Sequence, residues 1–240
     1  MYRIVPAGDS AFIIKAGDTI AAETNDRVHA LYATINAAAI PGIIECIPAY
    51  SELTVCYDPC VIEYTSLVAQ LKQCTASVYS TTPRTGMRIF IPVAYGGEYG
   101  PDLAEVADRH TMSHEEVITA HTKNEYRVYM LGFTPGFPYL GGLDPAIATP
   151  RRATPRTLIP AGSVGIADMQ TGIYPIESPG GWNLIGRTPL SLFTPHQSEP
   201  FLINAGDTLR FYAIDAQEFE QLHDAVLRGT CVVKKESITI

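Results

Sequence analysis

The chain has 240 residues, 46% of them hydrophobic, with 17 Lys and Arg against 25 Asp and Glu, a net charge of −8 and a pI near 5.2. That length suffices for one large all-β domain or two smaller ones, and the acidic balance argues against nucleic acid as the principal partner, because duplex binding needs a dense basic surface. No run approaches the roughly 18 apolar residues of a membrane span, and Met1-Tyr2-Arg3-Ile4-Val5-Pro6 lacks the apolar centre of a signal peptide, so a cytoplasmic protein without a membrane partner is expected.

The N-terminal part alternates in type. Short strands are predicted over residues 2–5 and 11–15, a helix from about 18 to 39, strands over 43–47 and 53–57, and a second helix over 64–74. Ile20, Val28, Leu31 and Ile35 recur near helical spacing, as a helix packed on one face of a small sheet requires. The polar segment 75–86, with Ser77, Ser80, Thr81, Thr82, Pro83 and Gly86, follows neither period and reads as a linker. A boundary near residue 85 is therefore expected between a small α+β domain, 1–85, and a second domain, 86–240.

A strand over 87–93 opens the second part, and Gly96-Gly97 with Gly100-Pro101-Asp102 turns the chain into a helix over 103–109. Ser113 followed by Glu116 is a capping-box pattern, which predicts a helix over 114–122. Short strands at 126–131, 164–167, 184–186, 190–193 and 208–214 are divided by Gly/Pro loops, the pattern of a closed barrel or sandwich. A helix over 215–228 and a strand over 231–234 complete the chain.

Several chemistries fail on spacing. No Gly is followed by Lys, so there is no phosphate-binding P-loop. Ser163 has Ala161 where a nucleophile elbow needs Gly, and reads as a turn residue. His110 and His114 are separated by the cap at Ser113, and His114-Glu115-Glu116 is followed by Val117-Ile118 rather than the second His of a zinc helix, so no metal site is expected. The five cysteines, Cys46, Cys56, Cys60, Cys74 and Cys231, lack paired C-x-x-C spacing; they read as reduced thiols, with Cys46, Cys56 and Cys231 as small core residues in strand-like runs.

What remains is a run of loops between residues 126 and 195 in which Gly, Pro, aromatics and Arg alternate, a composition that specifies rigid loops suited to a site. Arg151 and Arg156 flank a Pro-spaced loop, where a guanidinium either grips a carboxylate or phosphate or ties down neighbouring carbonyls and acids. Gly180-Gly181-Trp182 brings backbone close to a ligand beside an indole that either stacks on it or plugs the core. His121, ending its helix, is a candidate acid, base or phosphate contact, or a satisfied structural histidine. Gln170 and Thr171 offer polar groups in what is otherwise a hairpin turn, and Glu177 is the carboxylate nearest in sequence to the Gly-Gly-Trp turn, with solvation as its plain alternative.

These blocks, with Gly132-Phe133, Pro135-Gly136-Phe137, Tyr139-Leu140, Pro150-Arg151, Pro155-Arg156, Pro160-Ala161-Gly162-Ser163-Val164-Gly165, Gln170-Thr171-Gly172-Ile173-Tyr174-Pro175 and Ile185-Gly186-Arg187-Thr188-Pro189, closely resemble the family of 5-oxoprolinase B subunits, also described as the KipI or allophanate hydrolase subunit 1 family. Arg152 stands where Leu is common and Thr134 where Ser is common. The resemblance implies an α+β N-terminal domain followed by a mainly β, cyclophilin-like barrel. It also implies a non-autonomous subunit that acts with subunits C and A, and with ATP and Mg²⁺ as co-substrate held with the partner, to open 5-oxoproline to glutamate. Inhibition of a sensor histidine kinase and allophanate hydrolysis are the alternatives within the family. On this reading His121, Arg151 and Arg156 are the catalytic candidates, and Gly136, Tyr139, Gln170, Thr171, Glu177, Gly180, Gly181 and Trp182 the candidates for substrate or nucleotide contact, with no resident metal.

Overall fold

The computed structural model describes residues 2–19, 21–76 and 85–239, in a chain that divides into two compact units, Met1–Arg84 and Thr85–Ile240. In unit 1, β1 (Arg3–Pro6), β2 (Ala11–Lys15), β3 (Ile43–Pro48) and β4 (Glu52–Tyr57) form an antiparallel sheet in the order β1-β2-β4-β3. The alternation in β2 and β4 puts Phe12, Ile14, Leu53, Val55 and Tyr57 on one buried face, against α1 (Ala22–Ala38) and α2 (Tyr64–Cys74). α1 meets that face with Val28, Leu31 and Ile35, and begins later than its periodicity suggests, at an Ala21 cap without a side-chain hydrogen bond. Ile20 and residues 77–84 of the expected linker lie outside the described residues, while at the ends of that expected segment Thr75 is the buried C-cap of α2 and Thr85 and Gly86 already belong to the next strand.

Unit 2 is a closed seven-stranded barrel with helices and an eighth strand attached. Its strands are β5 (Thr85–Tyr95), β6 (Glu125–Leu131), β7 (Pro138–Gly141), β8 (Arg156–Ile159), β9 (Ser163–Ala167), β10 (Gln170–Ile173), β11 (Ser178–Gly180), β12 (Asn183–Arg187), β13 (Thr208–Ile214) and β14 (Lys235–Thr239). The ring runs β12-β9-β10-β7-β6-β13-β5 and closes where Gly186 and Arg187 of β12 pair with Tyr95 and Ala94 of β5. β14 adds to the other half of β5, while β8 and β11 make a separate two-stranded ribbon. Inward side chains such as Ile89, Ile91, Val93, Val128, Val164, Ile166, Leu209 and Phe211 fill the core.

The helices α3 (Leu103–His110) and α4 (His114–Thr122) follow β5, and α5 (Ala216–Leu227) follows β13. Ser113 and Glu116 form the expected capping box, and the break between α3 and α4 falls at Thr111, in the left-handed region at φ 56°. The turn into α3 is fastened to β12: Asp102 N–H donates to Leu184 O at 2.9 Å and Gly96 N–H to Ile185 O at 3.1 Å. Only glycine fits at position 100, because a Cβ there would lie 2.0 Å from Ile185 O.

Two expected strands differ. Residues 190–193 make only the isolated bridge between Phe193 and Phe201, and the last strand is Lys235–Thr239 rather than 231–234, because β5 offers its free edge to 235–239. Cys231 accordingly lies outside any strand, and of the five thiols only Cys46 is buried.

Candidate functional site

A cavity of about 340 Å³ opens in unit 2 between the β8–β11 ribbon, the loop before β7 and the 150–156 loop. Its floor is the apolar cluster of Phe137, Tyr174 and Trp182, whose rings meet edge to face at centroid separations of 5.5, 5.6 and 6.3 Å. Tyr139 and Phe133 extend this aromatic wall, Gly180 and Gly181 supply a stretch of bare backbone, and Pro155 and Arg151 close the rim. Burial pushes the Tyr174 phenol up to about 12, opposed by the Trp182 backbone amide and the two nearby arginines, so it is neutral at physiological pH. Gly180 is required by packing rather than by φ: a Cβ there would sit 2.4 Å from the Tyr174 hydroxyl.

Phe133 is 64% exposed and holds φ 61°, a left-handed conformation that is strained for an aromatic residue by roughly 1–3 kcal/mol. Thr134 N–H to Gly132 O at 2.7 Å and Phe137 N–H to Thr134 O at 3.1 Å keep the loop in that shape, so the ring stands over Phe137 at the mouth of the cavity.

The arginines divide their work. Arg156 and Arg152 are both committed to Asp102, which is 4% exposed: Arg156 donates from Nη1 and Nη2 at 2.8 and 2.7 Å, and Arg152 from Nη1 at 2.8 Å. The same carboxylate accepts from Leu184 N–H at 2.7 Å, and Arg152 also reaches Glu105 at 3.1 Å. Arg151 is different. Its side chain is 60% exposed, lies 6.0 Å from the Trp182 ring centroid, and faces Asp168 at 3.7 Å, beyond hydrogen-bond distance. Two further bonds fix the loop that carries it, from Arg152 N–H to Gly181 O at 2.8 Å and from Asn183 Nδ2 to Pro150 O at 2.9 Å.

Of the sequence candidates, Tyr139, Arg151, Gly180, Gly181 and Trp182 come together around this cavity. Gly136 lines a neighbouring cavity of about 330 Å³ beside Phe201, Gln170 begins β10, and Glu177 is exposed outside both. Thr171 and His121 lie in the barrel interior, fully buried. His121 Nδ1 is 2.7 Å from the Tyr95 hydroxyl and Nε2 is 2.9 Å from Thr171 Oγ1, which itself donates to Gly165 O at 3.0 Å. Because Thr171 spends its proton on Gly165, Nε2 carries the imidazole proton and Nδ1 accepts from Tyr95. Sequence reasoning misses Asp102, which reads as a turn residue, and Phe133, Phe137, Pro155 and Tyr174, which lie inside the family motifs without a role of their own.

Burial lowers His121 to about 3 from the ordinary 6.5, with the neutral Tyr95, Tyr126 and Phe211 rings around it. The unfolded chain therefore binds the extra proton between these values, and stability is full above pH 6.5 and falls as pH drops toward 3, by about 1.4 kcal/mol per pH unit. Urea unfolding at pH 7, 6 and 5 should show this slope in the native protein and a flatter one in His121→Gln; identical slopes would refute the assignment.

The chain matches the family model described as "Carboxyltransferase domain, subdomain C and D" over residues 2–203. It is 47% identical to the 5-oxoprolinase B subunit of Bacillus subtilis (strain 168) over 228 residues, 91% of this chain and 95% of that protein. The crystal structure of TTHA0988 superposes with a TM-score of 0.78 at 39% identity, covering 90% of this chain and 41% of that one, so this chain spans about two fifths of that relative. The Kluyveromyces lactis urea amidolyase superposes on all of this chain with a TM-score of 0.83 at 20% identity, over 16% of its own length, a likeness of fold.

Proposed function

Since the chain belongs to the family of 5-oxoprolinase B subunits, we propose that it is the B subunit of an ATP-dependent 5-oxoprolinase, acting with subunits A and C to open 5-oxo-L-proline to L-glutamate. The observation that carries this reading is the near full-length likeness to a curated B subunit. The aromatic cavity, with Tyr139, Arg151, Gly180, Gly181 and Trp182, is the proposed ligand surface of this protein. Amide resonance makes the lactam carbonyl a poor electrophile, so hydrolysis needs activation, and coupling to ATP supplies it.

The donor set at the cavity suits a lactam better than Mg²⁺-ATP. Arg151 is the one charged side chain among the described residues that line it, and among the described residues no group of three His, Cys, Asp or Glu side chains could hold a metal ion. The nucleotide is accordingly proposed to be held by the partner subunits. Within this chain Arg156 acts through Asp102, as a positioning residue for the 150–156 loop, and His121 holds the barrel. No described helix is long and apolar enough to cross a membrane.

ATP hydrolysis dependent on 5-oxoproline is expected only when this chain is mixed with subunits A and C, and to be absent with this chain alone or with the C subunit as its only partner. Turnover by the isolated chain, or none in the full mixture of folded, associated subunits, would reject the assignment.

A further inference from the structure

We propose that the exposed apolar surface centred on Phe133 in unit 2 is the docking face for a second subunit, the one corresponding to the part of the TTHA0988 chain that this protein does not match, with Phe133 as its anchor. The proposal takes from the reading of the chain as an enzyme subunit only that a partner exists; the place of docking comes from the surface itself.

Phe133 is a ridge between two hollows. It lines both the cavity of about 340 Å³ and the neighbouring one of about 330 Å³, whose other walls include Pro135 and Phe201. Phe133 is 64% exposed and Phe201 36%, and Pro135, Pro155 and Pro179 are exposed among the same walls. Among the described residues lining either hollow Arg151 alone is charged, in a chain whose net charge is −8. Aromatic residues with one Arg and without Lys, Asp or Glu make the composition of an interface centre rather than of open surface. The backbone points the same way. A φ of 61° is unfavourable at a residue with a side chain, and Gly132 beside it does not take up the left-handed turn. Within the chain the ring meets Phe137 edge to face at 5.6 Å between centroids and is otherwise largely in water, so the strain at Phe133 is not offset there. A partner that covers the ring supplies the missing burial.

Chain length in the relatives identifies the occupant. The Bacillus subtilis protein is matched over 95% of its length and TTHA0988 over 41%, so the same unit is nearly a whole chain in one protein and two fifths of a longer chain in another. Joining two segments in one polypeptide holds each at high effective concentration near the other, an arrangement suited to segments that work in contact. The remaining three fifths of TTHA0988 correspond to the partner. A second copy of this chain fits less well: it would bring an identical ridge and another Arg151, with no acid in the lining of either hollow to face a guanidinium. The matching face of the partner is apolar, concave where Phe133 enters it, with a carboxylate opposite Arg151.

Calorimetric titration and sedimentation velocity of the full chain with the separately produced partner, in the absence of any ligand, test this. Phe133→Gly removes the ring and suits a φ of 61°; it should weaken association about 30-fold or more while the urea midpoint of the isolated chain stays where it was or rises. Phe133→Tyr should retain most of the affinity. Leu227→Ala, at a residue 73% exposed at the end of α5 and outside both hollows, should leave association unchanged. Unchanged association in Phe133→Gly, equal weakening in Leu227→Ala, a lowered urea midpoint in Phe133→Gly, self-association of the native chain that Phe133→Gly abolishes, or no complex with the partner would overturn the proposal. Full association and turnover in Phe133→Gly would defeat only this surface; a Phe133-dependent complex without turnover in the full mixture would defeat only the assignment to 5-oxoprolinase.

Discussion

Replacing Asp102 by alanine is expected to destabilise the barrel unit by about 3–5 kcal/mol, the range for removing one partner of a buried ion pair. Asp102 is 4% exposed, while the Arg152 and Arg156 side chains are 28% and 27% exposed, so both cations are partly withdrawn from water around it. Deleting the carboxylate leaves them facing each other, and leaves the buried Leu184 N–H without its acceptor. Although Asp102 occupies the N-cap of α3, its side chain makes no cap hydrogen bond there, so the loss is not one of helix capping. Asp102→Asn keeps one oxygen, which can still accept from Leu184 N–H, but removes the charge and turns an NH2 donor toward the arginine N–H groups, so it should recover only a small part of that loss. Urea unfolding would measure both, and a loss below about 1 kcal/mol for Asp102→Ala would mean that solvent compensates the arginines. A functional consequence follows, because the released loop carries Arg151: ligand binding should weaken in Asp102→Asn even where the protein remains folded.

Trp182→Ala is expected to cost about 3–5 kcal/mol, the range for emptying a core aromatic site. The indole is 5% exposed and packs edge to face on Phe137 and Tyr174. Its neighbours cannot refill the space. Gly165 and Gly172 stand against it without side chains, where an added Cβ would lie 3.1 Å from Trp182 Cβ and Cζ3 respectively, so the loss belongs at the upper end of that range. Trp182→Phe retains part of the stack and should lose less. Thermal unfolding of the two variants tests the order, and equal stability would mean that the ring is a wall of the cavity without being part of the core. Trp182 is thus a core plug whose ring also lines the cavity.

The elements legible in the sequence are those whose signal is local and long enough to count. α4 is bounded by a capping box, and α2 and β13 are continuous runs whose period is maintained, and these three appear at the predicted residues. β7, β8, β10 and β11 carry no strand signal of their own, because each has only three or four residues and all but β8 contain Gly or Pro. Their pairing depends on partners elsewhere in the unit, such as Thr171 opposite Leu140 in the barrel and Ser178 opposite Ile159 in the ribbon.

Composition and motif order determined by themselves that this is an acidic chain with an α+β part and a mainly β barrel, that its rigid Gly/Pro/aromatic loops fall between residues 126 and 195, and that it resembles one family. Such properties are additive along the chain and need no partner. Only the tertiary structure decided how the functional groups are shared out. Arg151 and Arg156 look alike in sequence, both following a proline, yet Asp102 folds back from a turn about fifty positions away to hold Arg156 and Arg152 and leaves Arg151 at the cavity. His121 in the same way finds Tyr95 and Thr171 on two distant strands, and its burial in the barrel interior keeps it neutral. The availability of a charge depends on which opposite charge the fold brings within about 3 Å, and that distance is not written in the local sequence.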